Sequence, residues 1–283
     1  MNKGIVIFAF NNDKIDYVKQ AVYCAKRVKK YLGLPVQLIT SGIDYIKNEF
    51  PFYKDYIDEI TYVQEPQDFS IKSFYNGIYS KQSLEWKNNA RDDAFDLSIF
   101  DKTIVIDSDL IISNNKLLEC FTSQEDFMIA KDYNLINTHK EKLSFDRVSY
   151  HTIPMYWATI LYFTKSETPR HVFNLVKHIK ENYNYYRLVY DIAEEKFRND
   201  FAFSIAIHMM RGFNEDNDWP KKIPTDMWVA TDRDVLVDIK NENIQLLAQR
   251  EYDYLSVKLT DATVHVMNKF SLNDFVNKEF SND

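Results

Sequence analysis

The chain has 283 residues, 45% of them hydrophobic and 15% aromatic, enough to bury a sizeable core in one large domain or two small ones. Its formal net charge of −7 argues against broad electrostatic binding to nucleic acid or to an anionic membrane, although a local basic groove is compatible with that average. The two cysteines, Cys24 and Cys120, both lie in apolar patterns, which excludes a disulfide framework and a cysteine zinc site and suits a reducing compartment.

Ile5 to Phe10 is continuously apolar, the pattern of a strand covered on both faces. The apolar stretch from Gly4 is too short for a signal sequence or a membrane span, so a soluble cytoplasmic protein is expected. Asp13 is expected to cap a helix whose apolar residues Ile15, Val18, Val22, Ala25 and Val28 recur at helical spacing, with Gly33 and Pro35 ending it. Val36 to Thr40 and Glu59 to Val63 read as the next strands. Strand, helix, strand with short links opens a parallel α/β sheet.

Residues 69 to 100 read as mostly helical, with Leu84, Trp86, Phe95 and Leu97 available for packing. The strand of Ile104, Val105 and Ile106 follows, then a short helix around Leu117 and Leu118. Phe127 to Ala130 and Ala158 to Phe163 read as strands. Thr168 and Pro169 are expected to start a helix, as cap and first helical residue. Asn199 to Arg211, closed by Gly212, is apolar nearly all round and reads as a buried helix; Thr263 to Met267 is a late strand. With no repeat, low-complexity tract or linker, a single domain over 1–283 is expected, regular in its first half and more loop-rich in its second.

The chemistry concentrates at Asp107-Ser108-Asp109, which ends the apolar strand. Residues two apart on an extended backbone point the same way, so the two carboxylates can converge on one cation. Burying like charges together is expensive without one, and hard divalent cations take oxygen ligands and share their shell with phosphate. The five glycines are widely scattered and form no phosphate-cradling loop, so a bound phosphate must rely on a metal and on cationic side chains. Other polar residues stand where the local pattern does not demand them. Ala9, Phe10, Asn11 and Asn12 follow the first strand, where ligands of open sheets bind, although an Asx-type turn alone accounts for them. Asn199 and Asp200 open the buried helix, where an ordinary N-cap alone suffices. His265 lies in the late strand, and Arg91 in a charged stretch that also fits a solvated face.

Taken in order, these positions resemble glycosyltransferases of the GT-A nucleotide-sugar fold, especially the glycogenin-like and bacterial galactosyltransferase branch. Arg91 with Phe95 and Leu97, then Phe100 and Lys102 leading into Asp107-Ser108-Asp109, can be laid on the family pattern without a gap; Asp200, His265 and Lys269 follow in order. The resemblance implies an α/β fold with a mostly parallel central sheet, a nucleotide-binding half over about 1–112 and a sugar and acceptor half over about 113–283. It implies that Asp107, Asp109 and His265 hold Mn2+ or Mg2+ bridging the phosphates of a nucleotide-diphosphate sugar, UDP-linked by preference. Arg91 and Lys269 would add positive charge, Ala9 to Asn12 cradle the base, and Ser108 lie against the ribose. Asp200 would be the catalytic carboxylate on the sugar side. The resemblance leans to the retaining branch, where Asp200 positions the sugar or stabilises a cation; a general base in an inverting reaction is the alternative. Two departures stand out: Trp157-Ala158-Thr159 replaces an Asn-Ser-Gly run, and Asp200-Phe201 replaces an Asp-Gln pair.

A haloacid-dehalogenase-like phosphatase also uses an Asp-x-Asp strand, but its motif usually opens the domain and carries Thr or Val where Ile111 stands. A nucleotidyltransferase generally needs the glycine loop missing here. A non-catalytic glycan- or nucleic-acid-binding protein is the reading that the aromatic run from Tyr183 to Arg187 suggests. The compact Asn-, Lys- and Ile-rich chain also resembles phage-encoded glycosyltransferases. That resemblance, with Arg147, Arg170, Arg187 and Arg198, makes a hydroxymethylated pyrimidine in phage DNA one candidate acceptor, acting in host cytoplasm; an oligosaccharide or protein hydroxyl is equally open.

Overall fold

The apolar run at the start of the chain becomes β1 (Lys3–Phe8), with Ile5, Val6 and Ile7 completely buried, as expected of a strand with both faces covered. It lies inside a seven-stranded sheet in the order β11 (Lys221–Lys222), β8 (Phe127–Ala130), β10 (Trp157–Thr164), β6 (Lys102–Asp107), β1, β2 (Val36–Thr40), β3 (Glu59–Tyr62). The pairs of β1 with β2 and β6, of β2 with β3 and of β11 with β8 are parallel; β10 runs antiparallel to both its neighbours. The fold is thus mixed α/β with a mostly parallel central sheet. The structure, a computed structural model, describes residues 2–65, 70–137, 146–149, 152–214 and 216–281.

Three smaller sheets complete the strands. One is the hairpin of β4 (Ser70–Asn76) and β5 (Ser80–Trp86). A second has the order β7 (Leu110–Ile112), β16 (Thr263–Val266), β12 (Met227–Ala230), β9 (Tyr133–Leu135). The third is a meander of β13 (Val235–Lys240), β14 (Asn243–Arg250) and β15 (Asp253–Thr260). The helices are α1 (Tyr17–Leu32), α2 (Ile43–Glu49), α3 (Ala94–Leu97), α4 (Glu167–Glu181), α5 (Tyr183–Val189), α6 (Asn199–Met210) and α7 (Lys269–Ser281). α1 packs on β7 and α7, and α4 packs on α6, which in turn packs on β10. α6 is buried nearly all round, in keeping with its apolar sequence. Cys24 and Cys120 are buried free thiols, and burial pushes both up to about 12.

Several expectations need correction. The stretch read as mostly helical is mainly the β4–β5 hairpin, with helix only at 94–97 and a 3-10 turn at 91–93; residue 69 lies outside the described residues. Asp16, not Asp13, caps α1 by accepting from the Lys19 amide at 2.8 Å, which leaves Ile15 before the helix. α4 starts at Glu167 after Ser166, so Pro169 sits within the first turn, where its missing N–H costs no intrahelical bond. The second half holds a regular meander rather than loops. Among the described residues no helix is long and apolar enough to cross a membrane.

Candidate active site

β6, an interior strand of the central sheet, carries Ile104, Val105 and Ile106 into the core and delivers Asp107 at its C-terminal end. The chain then changes sheets. After Ser108 and Asp109 it enters β7, which pairs antiparallel with β16 so that Leu110 faces His265. The Val266 amide donates to the Asp109 carbonyl at 3.1 Å and fixes that register. α7 begins three residues later with Lys269, whose ammonium also donates to the Val266 carbonyl at 3.1 Å.

This crossing gathers charged groups from four segments. His265 Nε2 lies 3.2 Å from Asp109 Oδ2 and 3.9 Å from Asp107 Oδ2. One ligand atom from each of Asp107, Asp109 and His265 falls within 4.8 Å of the others, a spacing that a single metal ion can bridge. Arg91 pairs with Asp107 Oδ1 and Lys269 with Asp109 Oδ2. Two carboxylates and one imidazole suit a divalent metal ion, and burial holds His265 down at about 4, so its ring is neutral and able to ligate near neutral pH. Burial, then Arg91, draws the Lys269 ammonium down to about 7, against which the Asp109 carboxylate in contact with it favours the charge. Burial likewise lowers Arg91 to about 10, with Asp200 opposing the shift.

These residues line a cavity of about 470 Å³, together with Ser108. Asn199 and Asp200, opening α6, line it too. Asp200 Oδ1 accepts from the Ala158 amide at 2.9 Å and Oδ2 from Arg198 at 3.0 Å. Burial alone would raise this carboxyl, but Arg198, Arg91 and the Ala158 amide outweigh it and hold it below the usual range. Tyr17 Oη, Arg91 Nε, Asn199 Oδ1 and His265 Nδ1 are buried polar atoms of cavity residues with no partner among the described residues. The charged side chains that line the cavity suit a polar occupant.

Asp107, Ser108, Asp109, Arg91, Asp200, His265 and Lys269 therefore meet around one cavity. Ala9, Phe10, Asn11 and Asn12 do not line it. Ala9 and Phe10 are buried, and the Phe10 backbone is held by Asn88 through its N–H at 3.0 Å and its carbonyl at 3.3 Å. Asn11 Oδ1 accepts from the Val18 amide at 2.8 Å; Asn12 Oδ1 accepts from Lys14 and Ile15, while its amide donates to the Glu85 carbonyl at 2.7 Å. These are turn-forming roles. Of the four arginines that motivate a DNA acceptor, Arg198 lines the cavity. Arg170 and Arg187 each lie 3.6 Å from a glutamate, and Arg147 donates to the Thr152 carbonyl.

Lys72, Phe74 and Trp86 form a wall of the cavity that the helical reading of the hairpin concealed. The missed signal was Asn76-Gly77, a strong hairpin dipeptide, with Gly77 at φ +70°. Asp232 also lines the cavity, from the turn in which Asp234 accepts from the Thr231 amide at 2.6 Å and from its hydroxyl at 2.8 Å.

No protein-family model matches the chain, and no curated protein matches it. Among solved structures, the apo form of the glycosyltransferase GlyE of Streptococcus pneumoniae TIGR4 is similar at 13% identity and a TM-score of 0.43, over 74% of this chain and 43% of that one. The galactosyltransferase LgtC, solved with donor and acceptor sugar analogs, is similar at 14% identity and a TM-score of 0.44, over 72% of this chain and 69% of that one. The bifunctional IspDF of Campylobacter jejuni is similar at 12% identity and a TM-score of 0.38, over 72% of this chain and 47% of that one. The chain spans less than half the length of the GlyE chain. These are partial likenesses at low identity.

Proposed function

We propose that this chain is a metal-dependent glycosyltransferase that moves a sugar from a nucleotide-diphosphate donor, UDP-linked by preference, to a hydroxyl acceptor. The observation that carries the reading is the convergence of Asp107, Asp109 and His265 within 4.8 Å, with Arg91 and Lys269 on the two carboxylates, in the lining of one cavity. The order of the same residues along the sequence supports it. Breaking a sugar–phosphate bond places negative charge on the leaving diphosphate, and a bound Mn2+ or Mg2+ supplies a preorganised counter-charge for it. Asp107, Asp109 and His265 would hold that ion. Arg91 and Lys269 add fixed positive charge to the same cavity, where a glycine loop serves in other nucleotide-binding folds. Ser108, between the two carboxylates, would face the bound nucleotide.

Asp200 orients the sugar rather than taking the proton of the acceptor hydroxyl. Both its oxygens are already engaged, by the Ala158 amide and by Arg198, and a carboxyl held below its usual range is a weak base. That favours a retaining transfer. The direct test is a panel of nucleotide-diphosphate sugars with Mn2+, read for slow hydrolysis, which needs no acceptor. Turnover of one donor, lost with chelator, is the expected result; no turnover of any donor, or a trapped phosphoenzyme at Asp107, overturns the reading. The anomeric configuration of the product, read by NMR, decides between retention and inversion.

A further inference from the structure

The cavity is lined by two sets of charged groups. One is Asp107, Asp109, His265 and Lys269. The other adds Lys72, from the β4–β5 hairpin, to Arg198 and Glu194, with Arg91, Arg198 and Asp200 acting on both Lys72 and His265. The Lys72 ammonium stands 3.1 Å from the centre of the Trp86 ring. Among the described residues it has no carboxylate within the 4.0 Å of an ion pair, whereas Arg198 is committed to Asp200.

Lys72 is in an unfavourable place for a lone cation. Burial, then Arg198, pulls it down to about 7, with Asp200 and Glu194 opposing and Arg91 adding least. Contact with the Trp86 face returns about 0.5–2 kcal/mol, which does not offset the lost hydration of a buried ammonium. A neutral hydroxyl would be served by Asn or Gln without that cost. The donor diphosphate would have its own counter-charges in Arg91, Lys269 and the ion that Asp107, Asp109 and His265 would hold. What Lys72 lacks is an anion.

We propose that the hairpin wall of this cavity is a subsite for an anionic group, carboxylate or phosphate, borne by the carbohydrate beyond the diphosphate and gripped by Lys72 and Arg198 against the face of Trp86. The inference rests on the donor reading above and names its substrate class: an acidic or phosphorylated sugar, as transferred group or as acceptor.

Two calorimetric arms separate these sources. In the first, protein saturated with UDP and Mn2+ is titrated with glucose 6-phosphate, glucuronate and glucose. In the second, UDP-glucuronate is compared with UDP-glucose. Wild type is expected to prefer the anionic probe by about tenfold or more in one arm, and Lys72→Met to lose that preference while Lys72→Arg keeps it and UDP affinity is unchanged. The proposal falls if neither arm shows an anionic preference, if the preference survives in Lys72→Met, or if Lys72→Met weakens UDP itself, which would place Lys72 at the diphosphate. Failure of UDP to bind at all would refute the donor reading, and the first arm run without nucleotide would still decide the role of Lys72.

Discussion

Asp109 and His265, 156 positions apart in sequence, stand 3.2 Å from one another because β7 pairs with β16. Neither residue alone says much: a strand-end aspartate caps turns, and a lone strand histidine is usually a core residue. Their contact, closed by Asp107, makes a ligand set.

Replacing Asp109 by Asn keeps the side-chain shape and removes the charge that Lys269 pairs with and that a metal ion would engage. Mn2+ affinity should fall by on the order of a hundredfold, and metal-dependent UDP binding with it. Calorimetric binding at wild-type strength would remove Asp109 from the metal site.

Asp200→Asn can still accept the Ala158 N–H through its amide oxygen but loses the charge facing Arg198 and Arg91. Donor affinity should hold while turnover drops by about a hundredfold or more. Near-normal turnover would mean that the charge of Asp200 has no part in the reaction.

Lys72→Met should stabilise the ligand-free protein near neutral pH. The lysine sits at about 7 in the folded chain against 10.5 when unperturbed, so between those values the unfolded chain binds more protons and wild-type stability climbs with pH. Above the upper value the penalty is gone; below about 7 it is fully present. The charged groups acting on Lys72 are Arg198 and Arg91, which lower it, and Asp200 and Glu194, which raise it. Melting temperatures should therefore favour the variant near pH 7 and converge toward pH 10.5. A constant difference across that range would contradict the desolvated placement.

Gly77→Ala should undock the hairpin. Gly77 has φ +70°, and an added Cβ would stand 2.5 Å from Tyr254 Oη, the atom that accepts from the Ile78 amide at 2.9 Å. Faster limited proteolysis within 70–86, with the rest of the chain intact, is expected; unaltered cleavage would show that the tip contact is dispensable.

The central sheet was legible because its strands are nearly uninterrupted apolar runs, and the metal set because two carboxylates in such a run are costly without a cation. The hairpin was obscured by scattered polar residues in its strands, despite the Asn76-Gly77 turn. The meander was harder: its two-residue turns place Asn241 and Glu251 at positive φ, and a glutamate there is no turn signal at all. Arg198 and Lys72 reach the cavity only through tertiary packing, which no local pattern encodes. Conversely, the polar residues after β1 have their side-chain oxygens engaged by backbone amides of the segment that follows.

The change of sheet between Asp107 and Leu110 has a mechanical meaning. A cation held by Asp107, Asp109 and His265 would be anchored in two separately hydrogen-bonded sheets at once, as a rivet through two plates. Its binding energy would then also be adhesion between them, and any shear of one sheet against the other would be felt as a change in metal affinity. The ion that serves the diphosphate would in this way also hold the floor of the cavity together.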